Sequence, residues 1–580
     1  MSNRENNYQK IWQIKKPADK HFIQKHPNLN RVILQLLYNR EIKEKEEIRK
    51  FLEPDYKIDL FDPFLFANMN EAVDLIIKHI KAQNKIVVYG DYDADGITAS
   101  ALLVKALSIL HAKVDVYIPY RVEEGYGLNK KAIKYIAQNK TKLIITVDTG
   151  IRNKEEIEYA KKLGVDIVLT DHHFIPKEEE LPPCLIINPI LEEEKYPFKF
   201  LAGVGVAFKL ATAIISRAKL DKSTKNKIER RLLDLVAVGT IADCVSLLGE
   251  NRILAKYGLE ELNNTKNIGL QELIKATSIQ DSKIDSWNVS FQIAPRLNAA
   301  GRMDHANTAF ELLVTNNREE ASVLSRRLND KNQQRQEVTE EIIQEVEDQL
   351  KNQKEEKILI GISKKEQAWN EGVIGLVAGR ITEKYYKPTL IISCARDEWR
   401  GSGRSIEEFN LIKAIENCKS ILNKYGGHRL ACGFGVSDRN LGLFIDKIRR
   451  IANKELEGID LRPKLTIETE LNLDDITEDL IKEIERLAPF GQDNPRPMFL
   501  SRSVSIVDII NMGLNNEHIK LRLRGRESRL IDALGFYQSE KWKNIKIGDI
   551  IDIVYYLEMN SFNGYSTPQL KIIDICLQKN

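Results

Sequence analysis

Between residues 84 and 250 apolar residues alternate between two patterns. Short continuous runs, Ile86–Tyr89, Val114–Ile118, Leu143–Val147, Ile167–Leu169 and Leu185–Ile187, read as buried strands. Between them Ile97–Leu110, Asn129–Gln138 and Lys154–Leu163 carry apolar residues at helical spacing. Repeated strand–helix units predict a mostly parallel sheet covered on both faces, an α/β domain over 84–316. Upstream, Arg31–Arg40, Ile42–Leu52 and Glu71–Gln83 are amphipathic, Pro54 closes the second, and residues 1 to about 55 look helical. Residues 1–83 are therefore expected to cap the domain that follows. Leu324, Leu328, Val338, Ile342, Val346 and Leu350 lie at mostly helical spacing among charged residues and predict one long connecting helix over 317–354. A coiled coil would need cleaner heptads. A second α/β domain is expected over 355–458, with strands at Ile358–Ile362 and Thr389–Ile392. Several short strands over 459–580 suggest a small barrel. Within it His518, Lys520, Arg522 and Arg524 alternate with Ile519, Leu521 and Leu523, so a strand there has one basic and one apolar face. That pattern fits either a solvated face or a track for a phosphate backbone.

A chain of 580 residues is too long for one ordinary domain. With 43% hydrophobic and 29% charged residues its composition is that of a globular protein, and no apolar run approaches a membrane span. The polar N-terminus lacks an apolar signal core. Six scattered cysteines with no CxxC pair suit a reducing cytoplasm and argue against a structural zinc site. A net charge of +3 neither demands nor excludes a nucleic-acid partner, so any basic surface is local.

The chemistry gathers where the predicted strands end. Ile86–Tyr89 runs into Gly90 and then Asp91, Asp93 and Asp95 at alternate positions before a helix. Leu143–Val147 ends in Asp148-Thr-Gly, and Ile167–Leu169 leads through Thr170 into Asp171-His172-His173. Asp243 interrupts the apolar run Val238-Gly-Thr-Ile-Ala, where a carboxylate is costly to bury unless paired or metal-bound. In a parallel sheet all these strand ends face one edge, where ligands bind. Three carboxylates in one turn raise one another's pKa unless a cation is present, and hard divalent cations take oxygen ligands.

The motifs DYDADG, Asp148, Asp171-His172-His173 and GTIADCVSL, in this order, resemble the DHH phosphoesterase superfamily. APRLNAAGRM at 294–303, GSGRS at 401–405, YGGHRLACG at 425–433 and LAPFGQDNP at 487–495 resemble the RecJ exonuclease family within it. The resemblance spans nearly the whole chain. It implies two α/β domains followed by an OB-like nucleic-acid-binding barrel, and a single-strand-specific 5′→3′ DNA exonuclease that releases 5′-mononucleotides in DNA repair and recombination. It further implies two Mn²⁺ or Mg²⁺ ions, Asp93 serving one, Asp95, His172 and Asp243 the other, and Asp148 bridging. Asp91 and Asp171 are expected to orient ligands, Asp91 remaining open as a direct ligand, and His173 to contact the scissile phosphate. Arg121, Arg296, Arg302, Ser402 and Arg404 are expected on the DNA backbone or terminal phosphate. His428 is either a phosphate contact or structural, and Tyr126 either stacks on a base or packs. Lys520, Arg522 and Arg524 are expected to follow single-stranded DNA. A monomer, with a helicase and a single-strand-binding protein as partners, is implied. One departure is Asn370, where the family commonly has His; asparagine cannot titrate or carry charge.

Two other functions compete: a relative acting on short oligonucleotides, cyclic dinucleotides or pyrophosphate, and a catalytically dead scaffold. The barrel with its basic strand favours a long substrate over the first. The intact carboxylate set disfavours the second.

Overall fold

The computed structural model describes residues 10–578 apart from 122, 176–178, 278, 280–282, 354, 396–397 and 563–564. The chain divides into two compact units. One comprises Phe61–Val245 and Glu250–Leu461; the other takes the N-terminal segment through Leu60, Ser246–Gly249 and the chain from Arg462 onward.

The first unit is built on two five-stranded sheets. In the first sheet Lys113–Tyr117, Lys85–Gly90, Thr141–Val147, Asp166–Thr170 and Leu185–Ile187 lie side by side in that order, all parallel. The strand Lys85–Gly90, flanked by a strand on either side, is buried except for its first residue, which explains its unbroken apolar run. The expected strands agree with these to within two residues at either end. The helix Ala94–Ile109 follows the acidic turn, with Asp93 as its N-cap accepting from the amides of Asp95 and Gly96. The second sheet, order Lys424–His428, Ala431–Val436, Glu398–Arg404, Thr389–Ala395, Leu359–Ile362, is antiparallel but for its last pair. Arg318–Leu350 forms the long connecting helix. Its C-terminal half, through Ile342, Ile343, Val346 and Leu350, shares a core with Trp369, Val373, Val377 and Ile391 of the second α/β domain.

The second unit contains a closed five-stranded barrel, Met498–Met512, His518–Arg524, Leu530–Gly535, Tyr565–Leu577 and Ile550–Phe562, the last pairing back to the first. Here the structure corrects the expected cap. The segment through Leu60 is part of this unit, not of the domain that follows it in sequence. Ile33, Leu34, Leu36, Leu37, Phe51 and Leu52 enter one apolar core with Leu480, Ile484, Phe499 and Leu521. Nor is the segment wholly helical: Ile11–Ile14 is a strand, parallel to Lys464–Ile467. Its partner lies far along the chain, beyond what a local pattern reports. Residues 1–9 of the expected cap lie outside the described residues. Among the described residues no helix is long and apolar enough to cross a membrane.

Candidate metal centre

Because the first sheet is parallel, the strands Lys85–Gly90, Thr141–Val147 and Asp166–Thr170 deliver their polar ends to one edge. Asp91 and Asp95, Asp148, and Asp171 with the two histidines therefore meet, and Asp243, C-cap of the helix Lys222–Ala242, joins them. His172 Nε2 lies 3.1 Å from Asp148 Oδ1, 3.6 Å from Asp243 Oδ2 and 4.0 Å from Asp95 Oδ2. Three overlapping triads, Asp91/Asp93/Asp148, Asp95/His172/Asp243 and Asp148/His172/His173, each bring their ligand atoms within 4.8 Å of one another.

Backbone geometry aims these groups. Asp148 has φ of 61°, a left-handed conformation rare for a residue with a side chain, held at the end of a buried strand. Asp95 is buried, and its two oxygens accept the amides of Gly203 and Val204, at 2.7 and 2.8 Å, at the start of the helix Gly203–Arg217. Gly203 is required there: a Cβ would sit 2.5 Å from Asp148 Oδ1. Gly239 has the same role on the other side, where a Cβ would lie 2.9 Å from Asp95 Oδ1. Asp171 accepts from the amides of Ile151, His172 and His173 and from His173 Nδ1, so its capacity is spent on shaping the loop.

The electrostatics are those of a cation site. Burial and then neighbouring carboxylates push Asp91 and Asp148 well above the ordinary carboxylate range. The same causes push Asp95 up to about 7 and Asp243 to about 9. Asp91 Oδ1, Asp148 Oδ1 and His172 Nε2 are buried and make no acceptable hydrogen bond. The donor set, carboxylate oxygens with one imidazole, fits Mn²⁺ or Mg²⁺ better than a thiolate-seeking ion. The two histidines differ. Burial and the charge of His173 lower His172 to about 4, leaving a neutral imidazole fit to ligate. Burial alone would also lower His173, but its hydrogen bond to Asp171 and the surrounding carboxylates raise it to about 9, leaving it cationic.

Beside the acidic turn is a cluster of arginines. Arg121 stands over the Tyr92 ring, 4.9 Å from its centroid. Arg302 donates to the Gly372 carbonyl at 2.9 Å, and Arg404 to the Gly403 carbonyl at 2.9 Å. Ser402 Oγ and Arg404 Nη2 are 3.0 and 3.4 Å from where a Cβ on Gly375 would stand, at the start of the helix Ile374–Tyr385. Charge repulsion from Arg121 and Arg404, after burial, lowers Arg302 to about 10. Among the described residues none of these arginines is ion-paired.

Other expected site residues are placed differently. Arg296 is spent internally, its guanidinium donating to Asn329 Oδ1 and to the carbonyls of Gln292 and Ala276. It therefore clamps its own helix to the connecting helix rather than facing an open phosphate site. Tyr126 hydroxyl lies 3.0 Å from His173 Nδ1 and donates to the Asp148 carbonyl at 3.2 Å, which makes it a positioning group for the metal edge. His428 is exposed on the outer strand of the second sheet. Asn370 accepts from the Gly372 amide and shapes a turn. In the second unit His518, Lys520, Arg522 and Arg524 share the outward face of their strand, but Lys520 and Arg522 both pair with Asp532, at 2.7 and 3.1 Å. Sequence reading missed Gly203 and Gly239; a glycine opening an apolar helix and another inside one were the available signals. It also missed Glu124, which accepts from Tyr117 hydroxyl, the Tyr120 amide and Asn129 and so fixes the turn presenting Arg121 and Tyr126.

A parallel sheet with carboxylates and paired histidines at its strand ends defines a DHH-type domain, and residues 85–240 match the DHH family, N-terminal domain. Residues 359–454 match the DHHA1 domain and 467–574 the RecJ OB domain. The single-stranded-DNA-specific exonuclease RecJ of Bacillus subtilis is 36% identical over 573 residues, 98% of this chain and 71% of that protein. Its namesake in Haemophilus influenzae is 32% identical over 563 residues, 94% of this chain and 96% of that one. The crystal structure of RecJ in complex with Mn²⁺ from Thermus thermophilus superposes with a TM-score of 0.82 at 26% identity, covering 98% of this chain and 80% of that chain. The chain belongs to the RecJ family.

Proposed function

We propose that this protein is a single-strand-specific 5′→3′ DNA exonuclease that hydrolyses phosphodiester bonds with two divalent ions, Mn²⁺ or Mg²⁺, and releases 5′-mononucleotides. The observation that carries the reading is the set of orphaned, mutually repelling ligand atoms on one sheet edge, next to a cluster of arginines that, among the described residues, have no ion pair. Asp93, with Asp91 beside it, would hold one ion, and Asp95, His172 and Asp243 the other. Asp148, common to two of the ligand triads, would serve both ions. When bound, such ions stabilise the attacking and departing oxygens and lower the pKa of the attacking water. The chain's own groups do the rest. His173, cationic and hydrogen-bonded to Asp171 and Tyr126, would neutralise charge on the scissile phosphate. Arg302, Arg404, Ser402 and Arg121 supply donors for the terminal 5′-phosphate, which sets the polarity of degradation. A closed barrel with basic residues outward, in a chain of this family, supports a long single strand as substrate over a short oligonucleotide. The same reading carries a cytoplasmic monomer acting in repair and recombination beside a helicase and a single-strand-binding protein.

The test is hydrolysis of end-labelled single- and double-stranded DNA with each metal. The expected result is 5′ label released at once as mononucleotide, a 3′-labelled strand shortening gradually, and no product in chelator. Loss from the 3′ end, or equal cutting of duplex, rejects the assignment.

A further inference from the structure

One helical run, 286–303, joins an exposed aromatic pair to the metal edge. It has three consecutive parts, Ser286–Asn288, Val289–Ile293 and Ala294–Met303. Trp287 is 53% exposed and Phe291 65%, and their ring centroids lie 5.3 Å apart at an interplanar angle of 31°. Single surface aromatics need no explanation, but two in ring contact make a joint apolar face of the kind that marks an interaction site. Val289–Ile293 is a π-turn, closed by the Ala294 amide donating to the Val289 carbonyl. Such turns are rare and occur mostly at functional sites. The far end of the run is fixed to the acidic turn. Asn298 Oδ1 accepts the Ala94 amide at 2.8 Å, and a Cβ on Gly301 would stand 2.6 Å from the Tyr92 carbonyl oxygen. Trp287, Phe291, Pro295, Asn298 and Arg302 recur at intervals of four, four, three and four residues, the spacing of one helix face, and none is buried. A surface lane thus leads from the acidic turn and Arg302 to the aromatic pair.

We infer that Trp287 and Phe291 are a base-stacking platform on the first unit, which grips the single strand a few nucleotides from the metal edge. This rests on the exonuclease reading above. The occupant is a nucleic-acid strand because the lane is continuous with the proposed reaction site, at the other end of the same helical run. At a rise of about 1.5 Å per residue the pair lies ~10 Å along the helix from Asn298 and ~16 Å from Arg302. Stacked nucleotides rise about 3.4 Å each, so the platform meets roughly the third to fifth nucleotide, or an earlier one in an extended strand. Every base has a π-face, so a platform of this kind holds the strand without reading its sequence. It neutralises no phosphate, so its contribution is independent of salt, unlike that of the basic strand in the second unit.

The experiment uses the full-length protein with Mn²⁺, a dinucleotide and a single strand of about twelve nucleotides. The double variant Trp287→Leu/Phe291→Leu keeps apolar bulk and removes both π-faces. Its KM on the longer strand should rise about fivefold or more at unchanged kcat, with the same salt dependence as the wild type. On the dinucleotide, which ends short of the pair, the two proteins should match. Trp287→Phe/Phe291→Tyr, which keeps two rings, should restore most of the affinity. A single abasic site moved along the strand gives a second readout. The wild type should lose affinity when the site falls near the third to fifth nucleotide, and the Leu variant should not respond. Equal losses on both lengths, no loss on the longer strand, or abasic sensitivity kept by the Leu variant each overturn the proposal; the second is also what an apolar protein partner on this face would give. If the wild type hydrolyses neither length, the exonuclease reading fails instead. The platform is then judged by fluorescence anisotropy of the same labelled strands: weaker binding of the longer one by the Leu variant retains it, and equal binding removes it.

Discussion

At the scale of single residues the centre is a set of carboxylates that only a cation reconciles. Asp148 shows this most sharply: it is buried, in a left-handed conformation, and shared by two ligand triads. Asp148→Asn should retain the fold and lose activity by three orders of magnitude or more, as removal of a charge acting only on the transition state does. Circular dichroism and single-turnover hydrolysis check this, and substantial hydrolysis by the variant removes the bridge. Gly203→Ala should be nearly as damaging for a steric reason, since its methyl occupies the space of the Asp148 carboxylate; calorimetry should show Mn²⁺ binding weakened at least tenfold. The ligand types were legible in the sequence because charge at strand ends is a local pattern. The glycines were not, because their need arises from groups brought close only by folding. Away from the metals, Asp234 is fully buried, bonded to Thr265 hydroxyl, and pushed up to about 6 by burial. A carboxyl raised on folding favours the native state while protonated, so its contribution is full below about pH 4 and is lost as pH rises through 6. Asp234→Asn should abolish that loss, worth on the order of 3 kcal/mol between pH 4 and 8. Denaturant midpoints of the two proteins should converge in acid and separate above pH 6; parallel curves would show that Asp234 does not titrate in this way.

At the scale of elements, period decided what could be read. Strands of the parallel sheet and the helix Arg318–Leu350 appeared in the sequence at nearly their observed bounds, because continuous burial and a 3.6-residue stripe are unambiguous over such lengths. The basic strand shows the opposite limit. Its alternation fixed which residues face out, but not that Asp532 on the neighbouring strand, registered opposite Arg522, would compensate two of them. If Lys520, Arg522 and Arg524 were all available to phosphates, changing them to Gln would flatten the dependence of log K on log salt by about 2, at roughly 0.7 per phosphate on a single strand. With Lys520 and Arg522 held by Asp532 the expected flattening is nearer to about 0.7, most of it reproduced by Arg524→Gln alone. Asp532→Asn should act in reverse and steepen the slope. Salt titrations of binding to a long single strand measure all three; identical slopes throughout leave this strand an ordinary solvated face.

At the scale of the whole molecule, the second unit is assembled from both ends of the chain, and this has a consequence for how the protein can be divided. The barrel's apolar core is completed by Phe22, Ile33, Leu34, Leu36, Leu37, Ile48, Phe51 and Leu52. The strand Ile11–Ile14 pairs beside it, and Arg40 donates to Asn494 Oδ1 and to the Pro495 carbonyl, both at 2.8 Å. Burial of each large apolar side chain contributes about 1.5–3 kcal/mol, so eight of them match or exceed the ~5–15 kcal/mol by which a domain is stable. Removing residues 1–60 should therefore unfold the barrel, although the cut lies in another part of the sequence. The remaining unit, Phe61–Leu461 in the main, contains every proposed metal ligand and its own two sheets. The shortened protein should show selective proteolysis after residue 461, loss of binding to long single strands, and retained hydrolysis of very short oligonucleotides. A separately supplied peptide spanning 10–60 should restore resistance to protease. If the barrel instead stays protected without those residues, its own strands suffice and the N-terminal helices are an ornament on a finished core; if the short-substrate activity falls as well, the metal edge depends on the second unit for more than substrate.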